Sequence, residues 1–333
     1  MASKQATPTS EEQLQKLVKP LVDIRRRPLL VLNVPDIGPL APILVAAELR
    51  GKKIPELDVV LHTPGGHIES AYKIVKLLRK HADKVNIVVP AYAKSAGTLI
   101  SLAGETLVMT TVSELGPLDV QLREHQEGDV DTYKSALNGY KALGQIQAHA
   151  VENMDAAVAL IVNRTSESGM MLTDVIKLAI EFSGSTSGAL YSQLHPKTIA
   201  ENARALDVGK QYGIRILERY MGWPKEKANP VVHQLVYEYP SHGFVIDREE
   251  LAELGFDIEI PEGDAESALE TLGVALLRRK VADSAPEIKL FDFTDNASSG
   301  PQNTERAATE TAPSTAAAPR TTTRPRARAR MKR

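Results

Sequence analysis

Two short strings hold the residue types best suited to chemistry. His62-Thr63-Pro64-Gly65-Gly66 closes the apolar stretch Val59-Val60-Leu61, and Ala91-Tyr92-Ala93-Lys94-Ser95-Ala96-Gly97 closes a second one, Val85 to Val89. Each reads as a strand, a glycine-bearing turn and a helix, a geometry that points backbone N–H groups at whatever lies above the turn. An acyl-transfer site needs a nucleophile beside donors for the oxyanion it generates. Turns that follow adjacent parallel strands lie side by side at the carboxyl edge of a sheet. The amides of Gly66 and Ala96 are therefore expected to converge on a carbonyl oxygen next to the Ser95 hydroxyl. The string Ala93-Lys94-Ser95-Ala96-Gly97 is one residue away from the Gly-x-Ser-x-Gly nucleophile elbow, with alanine in place of the first glycine. The competing reading makes Ser95 a plain helix N-cap.

The elements that must position these turns alternate. Leu29 to Leu32 reads as a strand, and Leu40, Ile43, Leu44 and Ala47 as one helical face. Ile68, Ala71, Tyr72, Val75 and Leu78 recur at helical spacing, as do Ala96, Leu99, Ile100 and Ala103, before a strand at Leu107-Val108-Met109. The run Val85 to Val89 has the unbroken apolar character of a strand buried on both faces. Such alternation predicts an α/β fold, a mainly parallel sheet flanked by helices, with a helical C-terminal half from about 132 to 282. Asp247 with Glu250 reads as a helix cap and Gly255 as a helix stop. Ser183-Gly184-Ser185-Thr186-Ser187-Gly188 reads as a loop, and the apolar stripes at Val158 to Val162 and Leu172 to Ile180 as core or subunit-interface faces.

The stretch from Leu61 to Gln121 resembles the serine peptidases of the Clp-protease/crotonase fold. It is most similar to their signal-peptide-peptidase-like branch, the serine dehydrogenase proteinase family. The resemblance rests on His62 to Gly66, on Val89 to Ile100 and on Leu115-Gly116-Pro117-Leu118-Asp119-Val120-Gln121, with a weaker echo from Ser241 to Gly255. It implies a serine endopeptidase with Ser95 as nucleophile, Gly66 and Ala96 as the oxyanion hole, and the segment from Leu115 to Gln121 lining a peptide cleft. It also implies a homo-oligomer. The dehydrogenase activity in the family's name finds no support in a lysine-centred pyridoxal phosphate motif or a dinucleotide fingerprint, so no cofactor is expected.

The base that frees the serine proton is less legible. Clp-type proteases place a histidine about 25 residues past the serine, yet Thr111 to Gln121 contains none, and His125 falls in a polar stretch. Signal-peptide-peptidase relatives use a lysine some forty residues on. Lys134 is the first choice by that resemblance and Lys141 the second, since a buried lysine loses its charge by desolvation and then serves as a base. His62 is a third candidate. His195 and His242 read as structural, and Lys94 as a surface or substrate-contact residue.

The whole chain bounds these readings. At 333 residues with a net charge of −2, 43% apolar and 25% charged residues and no cysteine, the composition is globular and excludes disulfides, thiol catalysis and a globally basic nucleic-acid surface. No histidine spacing fits a metal site, and no phosphate-binding loop occurs. Residues 1–10 lack a signal peptide's apolar core and read as disordered, 11–283 as the peptidase domain, and 284–333 as a disordered Ala/Thr/Pro/Arg-rich tail. Arg320 to Arg333 carries seven basic side chains and no acidic one, a patch suited to an acidic partner. A cytoplasmic protein without stable membrane insertion is expected. Two other functions fit the same residues: an inactive interaction protein on this fold, and an acyl-thioester enzyme using the oxyanion hole without the serine.

Overall fold

The computed structural model describes residues 10–119, 121–124, 132–165, 169–278 and 286–293. The first nine residues, His125 and the tail from Thr294, including its basic end, lie outside the described residues. The elements run α1 (Ser10–Arg25), β1 (Leu29–Asn33), α2 (Ala41–Glu48), β2 (Ile54–His62), α3 (Ile68–His81), β3 (Ala82–Val89), β4 (Tyr92–Ala93), α4 (Ala96–Ser101), β5 (Thr106–Met109), β6 (Glu114–Leu115), β7 (Gln121–Glu124), β8 (Thr132–Ser135), α5 (Ala136–Thr165), α6 (Leu172–Tyr191), α7 (Pro196–Tyr220), α8 (Lys225–Tyr237), α9 (Arg248–Glu253), β9 (Ile258–Glu259), α10 (Asp264–Arg278) and β10 (Glu287–Phe291). The central sheet has the order β10-β1-β2-β3-β5-β9, parallel throughout except for β10 at one edge.

Strand register explains why the apolar runs are unbroken. Val31, Val60, Val88 and Val108 are paired across four strands and cluster with Val18 and Leu21 of α1 and Leu269 and Leu272 of α10. Leu30, Val59, Ile87 and Leu107 form the next row and face the opposite layer, which includes α2, α3 and α4. Successive side chains point to opposite faces, and both faces are covered, so polar positions are few. Each fully buried aliphatic side chain contributes on the order of 2 kcal/mol by leaving water. Beside the amino end of β1, the buried Asp58 pairs with Arg25 and accepts from Asn86 Nδ2 at 2.9 Å, while Arg25 also reaches Glu259.

The alternating elements form as expected, and Asp247 Oδ1 accepts the Glu250 amide at 2.8 Å as a cap for α9. Other expectations change. In α2 the helical face read from the sequence is the outer one: Leu40 and Ile43 are exposed, and Ala41, Val45 and Leu49 are buried. The Ser183 to Gly188 string lies inside α6, where Ala179, Ser183 and Ser187 form the buried stripe. Their small side chains permit close approach to α5, and the Ser183 hydroxyl donates to Ala150 O at 2.7 Å. The sheet also continues past residue 283, because β10 pairs with β1 from Glu287 to Phe291. The α5 and α6 stripes divide: Val175 and Ala179 are buried, whereas Leu160, Leu172, Ile176 and Ile180 are exposed. No helix among the described residues is long and apolar enough to cross a membrane.

Candidate active site

Three loops at the carboxyl ends of β1, β2 and β3 continue the sheet's pairing beyond the strands. Thr63 N donates to Tyr92 O at 3.2 Å and Lys94 N to Thr63 O at 3.0 Å, so the glycine turn and the serine turn run side by side. On the other side, Ile37 N donates to Gly65 O at 2.8 Å and His67 N to Ile37 O at 3.0 Å. These bonds pair Gly66 with Ile37 in an isolated parallel bridge. Two glycines mark how close the turns come. A Cβ on Gly65, whose φ is +125°, would lie 3.0 Å from Ser95 Cβ and 3.4 Å from its Oγ, and a Cβ on Gly97 would lie 2.6 Å from Thr63 Cγ2.

Ser95 has φ 52° and ψ −113° and makes no capping hydrogen bond to α4. An N-cap serine keeps an extended backbone and accepts a bond from the first helical turn. A non-glycine residue at positive φ is strained by roughly 1–3 kcal/mol and persists only where its surroundings hold it. The strand-to-helix turn at Ser95 thus has the backbone of a nucleophile elbow. Its hydroxyl is nearly buried and donates to Asp119 O at 3.2 Å.

Lys94 is a largely buried strap, where a surface or substrate-contact residue was expected. Its ammonium pairs with Glu114 Oε1 at 2.7 Å and donates to Leu115 O at 3.1 Å and Phe244 O at 3.2 Å. Leu115 and Ile246 exchange both backbone bonds, and Gly116 N donates to Ala93 O at 3.3 Å. Segments distant in sequence, 114–119 and 241–246, are thereby stitched to the serine turn.

That stitching brings together residues that sequence reasoning did not join. Asp119 is buried, and its Oδ1 lies 2.6 Å from His242 Nδ1 while its Oδ2 accepts from Ser135 Oγ at 2.7 Å. His242, read as structural, sits on the residue that Ser95 also touches. Two signals in the sequence bear on this: Asp119 stands 24 residues past Ser95, near where the Clp-type pattern has histidine, and His242 lies in the weakly matching Ser241 segment.

The fold also positions the other candidates. Lys134 lies on β8, opposite Leu122 of β7 and one residue before Ser135. Lys141 is half-buried on α5, and His195 is exposed before α7. His62 ends β2 fully buried, with Nδ1 2.9 Å from Asn33 Oδ1, its ring 4.4 Å from that of Tyr92, and Nε2 without a partner among the described residues. Burial pulls its pKa from 6.5 down to about 4, so the ring is neutral at pH 7.

A parallel sheet whose carboxyl-end turns carry a serine elbow and a glycine turn defines a ClpP-like fold. Residues 33–136 match the family model described as ClpP-like SDH-type serine proteinase. Two uncharacterized proteins of Methanocaldococcus jannaschii are similar. One is 27% identical over 208 residues, 62% of this chain and 55% of the relative, and the other 33% identical over 88 residues, 26% of this chain and 30% of the relative. The chain thus spans about half, and about a third, of the curated relatives it matches. Among solved structures, two of a 1510-N membrane-bound stomatin-specific protease align. A serine-to-alanine mutant aligns at 23% identity and TM-score 0.22, covering 42% of this chain and 58% of that one. A lysine-to-alanine mutant in complex with a substrate peptide aligns at 15% identity and TM-score 0.24, covering 72% and 94%.

Proposed function

We propose that the protein is a serine peptidase in which Ser95 attacks a peptide carbonyl. The backbone amides of Gly66 and Ala96 hold the tetrahedral oxyanion, and water then releases the acyl-enzyme. The observation that carries this reading is the strained Ser95 backbone, φ 52° without a capping bond, packed against the glycine turn. A helix cap in an inactive interaction protein, or a thioester enzyme that does not use the serine, gives no reason to maintain that strain. Peptide would lie along 115–121, beside the 241–246 segment. The exposed Leu172, Ile176 and Ile180 row of α6 supports a homo-oligomer, which light scattering on the purified chain tests.

The experiment is labelling by a fluorophosphonate probe. Wild type labels covalently and Ser95→Ala does not, with tryptic mapping placing the adduct on the Ser95 peptide. A folded wild-type protein that does not label, or a Ser95→Ala variant that labels equally, refutes the reading.

A further inference from the structure

We infer that Asp36 selects the substrate: peptides that place a lysine or arginine side chain beside the scissile bond are preferred, because this carboxylate pairs with it. The inference rests on the peptidase reading above and names the chemistry of the substrate. Asp36 lies in the loop that follows β1, and that loop is paired with the glycine turn. Gly66 has no side chain, and the Asp36 carboxylate stands where one would go: a Cβ on Gly66, whose φ is +140°, would lie 2.5 Å from Asp36 Oδ1. Backbone dimensions then put that oxygen within about 4 Å of Gly66 Cα and about 5.5 Å of its amide nitrogen. The loop is held in place. Ile37 N donates to Gly65 O at 2.8 Å, His67 N to Ile37 O at 3.0 Å and Gly38 N to Asp36 O at 2.7 Å, and Pro35 and Pro39 bracket the segment.

Access and charge agree with the role. Asp36 is exposed, and its side chain has no hydrogen-bond or ion-pair partner among the described residues. Two other carboxylates beside the serine turn are already engaged, Glu114 by Lys94 at 2.7 Å and Asp119 by Ser135 and His242. An oxyanion on the Gly66 amide sits one hydrogen bond beyond the nitrogen, and so no farther than about 8 Å from the Asp36 charge. Two like charges at that separation repel enough to slow the chemical step by on the order of 10-fold. A substrate lysine or arginine that pairs with Asp36 removes this repulsion and adds a charge-assisted hydrogen bond. The oxyanion exists only after attack, so the relief acts on the transition state and raises kcat as well as lowering KM. A neutral side chain in the same place leaves the repulsion in force, and an acidic one is itself repelled.

The test digests a proteome-derived peptide library with the full chain and maps the cuts by mass spectrometry. It then measures kcat/KM on matched peptides carrying arginine, norleucine or glutamate at the position beside the cut. Wild type, Ser95→Ala, Asp36→Asn and Asp36→Lys are compared, each checked for folding by thermal melt. Wild type is expected to favour arginine over norleucine by roughly 10-fold or more, with the preference shrinking as salt is raised. Asp36→Asn should lose that preference through two opposed changes, slower cutting of the arginine peptide and faster cutting of the norleucine peptide. Loss of a merely structural carboxylate would slow both. Asp36→Lys should favour glutamate. Ser95-dependent cutting without preference for basic residues, or a preference that survives in folded Asp36→Asn, overturns the inference and leaves the peptidase reading intact. Fluorophosphonate labelling of Ser95 with no library peptide cut also overturns it. A folded wild type that neither labels nor cuts overturns both.

Discussion

Replacing Gly65 by alanine tests the site geometry with a single methyl group. The added Cβ would lie 3.0 Å from Ser95 Cβ, 3.1 Å from Lys94 O and 3.4 Å from Ser95 Oγ, on a backbone with φ +125°. The backbone conformation costs an L-residue roughly 1–3 kcal/mol, and overpacking against the serine turn adds about 1–3 kcal/mol. A net loss of about 3 kcal/mol lowers the melting temperature of a domain this size by roughly 6–12 °C. Relief of the contact moves the serine by a few tenths of an ångström. Because a 1 Å misplacement can cost ~10²-fold in rate, fluorophosphonate labelling should slow by roughly 10-fold or more at a temperature where the variant is folded. Gly51→Ala is the control: its φ is +73°, but a Cβ there meets nothing within 4 Å. It should lose about 1 kcal/mol and label normally. Gly65→Ala labelling at the wild-type rate would refute the placement of the glycine turn against the nucleophile.

Two further outcomes follow from buried charge. Lys94→Met strands the Glu114 carboxylate and two backbone carbonyls, so urea denaturation should show a loss of about 3–5 kcal/mol, with slower labelling because the 241–246 segment is released. The buried His62 ring stays neutral in the fold down to about pH 4, whereas the unfolded chain protonates it near 6.5. Its contribution is complete above pH 6.5 and is lost as pH falls towards 4, by about 3 kcal/mol in total. Urea titrations from about pH 7.5 to 4 should show that loss, and His62→Gln should flatten the corresponding part of the curve.

Local pattern carried the elements well where one residue type dominates. The valine-rich runs form strands because both faces of the sheet are covered, so no polar alternation is needed to read them. The Asp247–Glu250 cap and the stop at Gly255 are local bonds and were equally legible. Pattern misled where partners decide. The apolar residues of α2 occur on both sides of the helix, and only its packing on α3 and β10 selects Ala41 and Val45 for burial. Serines and glycines at 183–188 have loop propensity, yet close packing against α5 favours small residues there. β10 follows a polar stretch, and its pairing with β1 joins residues more than two hundred positions apart.

From the chain alone came the two turns, their placement at one sheet edge, and Ser95 as the residue to watch, because turn chemistry and strand character are properties of neighbouring residues. The tertiary structure decided the backbone strain at Ser95, the burial of Lys94 and the meeting of Asp119 with His242, 123 positions further on. Those depend on loops folded over one another, and no spacing along a chain encodes a contact that hydrogen bonds between distant segments create.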